Sequence, residues 1–160
     1  VSVKSALEKY SKRFANVKKK KSKNKAPEKE VQKEIVLWLM SCGFDVSVVE
    51  SKAVYSRSAN RYLRGQTEPG FSDLAGVTPN GIGCFIELKA VGKIANVSRA
   101  QHDFINRKIR LGAFACVVDS VSYLAEVYRV WVLLLKQNEQ DAKDYLLSLL
   151  PDKFNDDFTM

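Results

Sequence analysis

Histidine is almost missing from this chain: His102 is the only one in 160 residues. A lone histidine has no second imidazole with which to share a metal and no triad partner in the sequence, so hydrolysis driven by histidine is excluded. His102 reads as a surface or phosphate-contacting residue. Cysteine is nearly as scarce. Cys42, Cys84 and Cys116 are isolated, odd in number and set among apolar residues. That pattern excludes a zinc ligand set and a disulfide framework, and it fits reduced core thiols in a cytoplasmic protein. No apolar stretch approaches the roughly 20 residues that cross a bilayer; Val130 to Leu135 is far too short. The N-terminal stretch is basic without the apolar centre of a signal peptide. A glycine-rich phosphate loop is absent as well, so the chain encodes no P-loop motor.

What is present suits one soluble globular domain: 46% hydrophobic residues and a mean hydropathy of −0.21. The charge is uneven. Residues 1–25 hold ten Lys and Arg against the single acid Glu8, a local charge of +9. The whole chain carries +8, so the remainder is net −1. Lys18, Lys19, Lys20 and Lys21 form the centre of this arm, suited to phosphate backbones without sequence preference. Before them, Leu7, Tyr10, Phe14 and Val17 fall on one face of a short helix that can dock on the core or on a second subunit. At the other end, residues 152–160 are acidic with two Phe, either a disordered tail or a docking motif for a protein partner.

Between these ends the order of elements is legible. A helix starts at Pro27, with Glu28 and Glu30 in its first turn and Val31, Ile35, Trp38, Leu39 and Cys42 as its apolar stripe, and stops at Gly43. Strands follow at residues 44–49 and 53–55. Residues 56–65 are polar and basic; Arg57, Arg61 and Arg64 lie along one side of a helix or loop, suited to phosphate, and Tyr62 can stack on a base. A helix is expected from the N-cap Ser98, with Phe104, Ile105 and Ile109 inward, closed by Leu111-Gly112. A buried strand over 113–119 and helices over 122–136 and 141–150 complete the chain. The expected class is α/β, a mixed sheet flanked by helices, with an arm over 1–26, a core over 27–121 and a helical extension over 122–160.

The most informative stretch is central. Residues 73–77 and 84–89 read as two strands joined by the turn Thr78-Pro79-Asn80-Gly81, in which Pro presets φ and Asn-Gly accepts positive φ. Alternation along the second strand puts Phe85, Glu87 and Lys89 on one face and Ile86 and Leu88 on the other. The hairpin therefore gathers Asp73, Glu87 and Lys89 at the end of an apolar run, an odd place for charge unless it is used or paired. Phosphodiester hydrolysis needs this set. Hard cations such as Mg²⁺ or Mn²⁺ take carboxylate oxygens, here Asp73 and Glu87, with the Leu88 carbonyl as a further ligand. Lys89 would hold the attacking water and offset negative charge, since two close carboxylates repel without compensation.

These residues resemble the PD-(D/E)XK nuclease superfamily, and most closely its VRR-NUC and Holliday-junction-resolvase-like members. The matching segments are Gly70-Phe71-Ser72-Asp73-Leu74-Ala75-Gly76, then Glu87-Leu88-Lys89, then Ser98-Arg99-Ala100-Gln101. Ser72 stands where the family pattern has Pro. The resemblance covers roughly residues 27–120. It implies a restriction-endonuclease-like αβββαβ core, a Glu of the first helix approaching the metal (Glu28, with Glu30 and Glu34 as alternatives), and Gln101 lining the site against water or phosphate. It also implies DNA as substrate and a homodimer that cuts two strands. The expected function is a Mg²⁺- or Mn²⁺-dependent endonuclease selective for junction, flap or branched DNA. A restriction-type double-strand endonuclease and a non-catalytic nucleic-acid-binding module on a retired nuclease fold stay open.

Overall fold

The computed structural model describes residues 27–50, 54–63 and 68–154. The basic arm with Lys18 to Lys21, Arg64 and the last six residues lie outside the described residues.

The chain runs α1 (Pro27–Ser41), β1 (Asp45–Val48), β2 (Val54–Ser56), β3 (Arg61–Leu63), β4 (Leu74–Val77), β5 (Gly83–Leu88), α2 (Arg99–Arg110), β6 (Phe114–Val118), α3 (Val121–Gln137) and α4 (Glu139–Ser148). The protein is α/β. Its main sheet has the order β1-β4-β5-β6, antiparallel except for the parallel pair β5 and β6, which α2 connects.

The expected hairpin is β4–β5. Its turn is closed by Gly81 N–H to Thr78 O at 3.0 Å and Thr78 N–H to Ile82 O at 2.8 Å, with Gly81 at φ +83°. Pairing sets Leu74 opposite Ile86 and Gly76 opposite Cys84. Alternation then divides the sheet. Leu74, Cys84, Ile86, Leu88, Phe114, Cys116 and Val118 share one face, all of them buried. Helices α1 and α3 cover this face, bringing Trp38, Tyr128 and Trp131 onto Phe44 and Phe114; the Phe44–Tyr128 and Phe114–Trp131 rings are 4.9 Å apart. Helix α2 covers the opposite face, where Phe104 meets Phe85 and Phe71 at 5.6 and 4.7 Å. The helices beyond residue 121 share this core: Leu124, Ala125, Val127, Ala142 and Leu146 belong to the same buried cluster as Ile35 and Ile86.

Two expectations change on this frame. Residues 56–63, the described part of the polar segment, form neither a helix nor a plain loop. They belong to a second, two-stranded sheet, β2–β3, with Arg57 in its turn and Arg61 opening β3. His102 is not on the surface. It is 5% exposed, its ring 5.2 Å from Phe154 in the short turn after α4. Cys84 and Cys116 are buried free thiols and Cys42 is half-buried. No described helix is long and apolar enough to cross a membrane.

Candidate active site

The register that pairs Leu74 with Ile86, continued by one residue, sets Asp73 across from Glu87 on the face covered by α2. Asp73 is fixed there by its Oδ2, which accepts from the Leu88 N–H at 2.8 Å. Its own carbonyl accepts from Val49 N–H at 2.8 Å, which extends the β1–β4 ladder to the site. Just before it, the Ser72 hydroxyl is buried and donates to the Leu74 carbonyl at 2.8 Å. A local hydrogen bond thus holds the backbone where the family pattern uses Pro.

Glu87 is 2% exposed. Its Oε1 accepts from Gln101 Nε2 at 2.5 Å and lies 3.5 Å from the Lys89 ammonium. Its Oε2 is buried and receives no N–H or hydroxyl donor, and the Glu87 and Asp73 carboxyls lie close enough to share a proton. Burial first, and then the neighbouring Asp73 carboxylate, push the Glu87 carboxyl up to about 8, with Lys89 acting in the other direction. The energetic logic is that of a buried acid with one oxygen short of a donor and a like charge beside it.

Gln101 binds the pieces together. Its Oε1 accepts from Lys89 Nζ at 3.1 Å and from Ser98 N–H at 3.0 Å, while its backbone N–H donates to Ser98 Oγ at 3.2 Å. One residue therefore closes the capping box that starts α2 and holds Glu87 of β5 and Lys89 just after it. The resemblance places Gln101 against water or phosphate; here its amide is held by Glu87, Lys89 and Ser98, which makes it a positioning residue.

Glu28 is not brought to this centre. It is exposed in the first turn of α1, as is Glu30, and among the described residues no group of three His, Cys, Asp or Glu is gathered to hold a metal. Glu34 is exposed too. Approach to the metal would need Glu28 on the inward side of α1, the side of Ile35 and Leu39. That stripe instead begins at Val31, one turn later. Glu28 is thus corrected to a solvent-facing residue that complements the helix dipole.

One site residue was missed. Gly70 has φ +79°, and a Cβ there would overlap the Ala100 carbonyl and crowd Gln101 N. Only glycine lets the strand carrying Asp73 pass this close to the first turn of α2. The signal was present as the first Gly of the Gly-Phe-Ser-Asp run, read as a motif letter rather than as a point of contact.

Comparison with protein-family models, curated proteins and solved structures finds no match.

The donor set suits a hard cation. Two carboxylates, one with a buried oxygen short of a donor, and the adjoining Leu88 backbone match Mg²⁺ or Mn²⁺, which take one or two carboxylates and keep several waters. Buried thiols offer no competing soft site, since burial pushes Cys84 up to about 12 and raises Cys116 as well.

Proposed function

We propose that this chain is a divalent-cation-dependent DNA endonuclease of the PD-(D/E)XK type, acting on branched, flap or junction DNA. The observation that carries the reading is the buried Glu87 oxygen, short of any N–H or hydroxyl donor, facing Asp73 across the β4–β5 hairpin, with Lys89 on the same face. Two carboxyls held close enough to share a proton, one of them buried and pushed up to about 8, point to use.

Asp73, Glu87 and the Leu88 carbonyl are the groups that would hold the ion. A bound Mg²⁺ or Mn²⁺ supplies Lewis-acid stabilisation of the scissile phosphate and lowers the pKa of water. The protein supplies orientation. An ammonium has three N–H donors; Lys89 gives one to Gln101 Oε1 and stands 3.5 Å from Glu87 Oε1 as an ion pair, which leaves donors for a phosphate oxygen or the attacking water. Gln101 prevents Lys89 from swinging out, and the capping box keeps Gln101 in one rotamer. Arg57 and Arg61, together with the lysine arm, supply positive charge for the backbone of the substrate.

The reading is tested without cleavage by thermal unfolding at pH 8 with and without millimolar Mn²⁺. The wild-type protein is expected to gain several degrees, the equivalent of roughly 2–3 kcal/mol at a hundredfold excess over Kd. Asp73→Asn is expected to gain nothing. Equal midpoints for the wild type with and without Mn²⁺ would remove the metal centre and leave a nucleic-acid-binding module on the same fold.

A further inference from the structure

We propose that the β2–β3 hairpin is a ribbon that enters the major groove of duplex DNA beside the site; this rests on the nuclease reading only for the choice of DNA as partner. The two strands pair Val54 with Leu63 and Ser56 with Arg61, and they pair with no other strand of the described residues. The turn is locally braced. Tyr55 Oη donates to Asn60 Oδ1 at 2.5 Å, Ala59 N–H donates to Ser56 Oγ at 3.3 Å, and Asn60 takes a left-handed φ of +47°. A two-stranded ribbon is marginal on its own in water, and this one is paired with no third strand of the described residues, which leaves room for a partner that completes it.

The charge identifies the partner. Residues 54–63 hold two arginines and no acid. Arg57 and Arg61 are exposed, and neither has an ion-pair partner among the described residues. Three other arginines are engaged: Arg107 holds Glu68 at 2.8 Å, Arg110 donates to Asn106 at 2.7 Å and Arg99 faces Asp103 at 3.8 Å, while Arg129 on α3 is exposed like the hairpin pair. The two free guanidiniums therefore suit bidentate phosphate contact.

Connectivity sets the range. Val49 is bonded to Asp73, and Val54 follows five residues later. At most about 3.6 Å per residue, the hairpin starts within ~18 Å of the site. Its strands are ~10 Å long and ~5 Å apart, and with side chains they match the ~12 Å width of the B-DNA major groove. The deep, narrow major groove of duplex RNA does not admit such a ribbon.

The test is binding to fluorescently labelled duplex DNA, single-stranded DNA and duplex RNA in EDTA across 50–200 mM salt, so that no cutting is required. The variants are Arg57→Ala/Arg61→Ala and Arg57→Lys/Arg61→Lys, in the full chain. The alanine pair is expected to lose about tenfold in duplex-DNA affinity at the highest salt and to flatten the log K against log salt slope by about 2. The lysine pair is expected to keep the slope, and binding of single strands and duplex RNA is expected to change less than twofold. An unchanged slope, an equal loss on all three nucleic acids, or a wild-type protein that fails to bind duplex DNA at low salt would each overturn the proposal. Failure of the nuclease reading is distinct: duplex binding with the expected slope change, but no cleavage in any metal.

Discussion

Glu87 stores the tension of the site in a single carboxyl group. Its folded-state pKa of about 8 lies above the ordinary value of 4.5 because burial and Asp73 both disfavour the anion. The folded protein thus holds a proton that the unfolded chain has released between those two values. Stability from this group is present in full below pH 4.5 and is lost as pH rises through about 8. Without a divalent cation, the unfolding free energy is expected to fall between pH 5 and pH 8 by on the order of a few kcal/mol, and the thermal midpoint with it. Glu87→Gln keeps an acceptor for Gln101 and carries no charge, so its midpoint is expected to be flatter over that range and higher than wild type at pH 8. Parallel pH–melting series of the two proteins check this, and identical slopes would remove Glu87 as the cause. Asp73, Glu87 and Lys89 were all legible in the sequence, because a Pro-Asn-Gly turn fixes the register of two strands and alternation does the rest. Glu28 was misplaced because helical spacing gives a face but not the turn at which that face becomes buried. His102 was misread for a different reason: the residue that covers it, Phe154, is 52 positions further along the chain.

The elements meet at two contacts that leave little slack. Gly70 lets the Asp73 strand pass the first turn of α2, and Gln101 ties that turn to β5. Gly70→Ala is expected to cost at least about 2 kcal/mol, because it combines a positive φ with overlap against backbone atoms of Ala100 and Gln101 that cannot rotate away. Its melting midpoint should fall by roughly 4–8 °C. Gln101→Ala removes the capping-box partner of the Ser98 N–H and the link between Glu87 and Lys89, an expected loss of ~1–3 kcal/mol. Gln101→Glu keeps the capping box but adds a third carboxylate. If Gln101 acts by positioning, the two variants should melt differently and cut equally poorly; wild-type cutting by Gln101→Ala would show that the amide serves only the helix. Of the hairpin, β2 falls on the strand expected over 53–55, and β3 was the element that the sequence concealed. Three residues per strand are too few for a period of two to register, and the polar, arginine-bearing turn reads equally well as a loop. By contrast, α1 was visible from a five-residue apolar stripe, and α2 from its Ser98 cap and three inward residues.

The whole molecule separates a nearly neutral body from a strongly basic arm. Residues 26–160 are net −1 although the chain is +8. A compact body of that charge has little general attraction for DNA, so the arm and the two hairpin arginines should account for most of the salt dependence. Replacing Lys18, Lys19, Lys20 and Lys21 by Gln is expected to flatten the log K against log salt slope by roughly 3–4 while the melting midpoint stays within a degree or two, because the buried cluster of the described residues closes on itself from Val31 onward. A shifted midpoint would instead mean that the arm packs on the body. The central claim is that Asp73, Glu87 and Lys89 form a working phosphodiesterase centre. The most direct measurement is cleavage of end-labelled linear, single-stranded, flap and four-way-junction DNA in Mg²⁺ and in Mn²⁺ by the wild type and by Glu87→Ala. The account predicts metal-dependent cutting, strongest on a branched substrate and lost in Glu87→Ala. Tight, salt-sensitive binding with no cutting of any substrate in either metal, or equal cutting by Glu87→Ala, would contradict it.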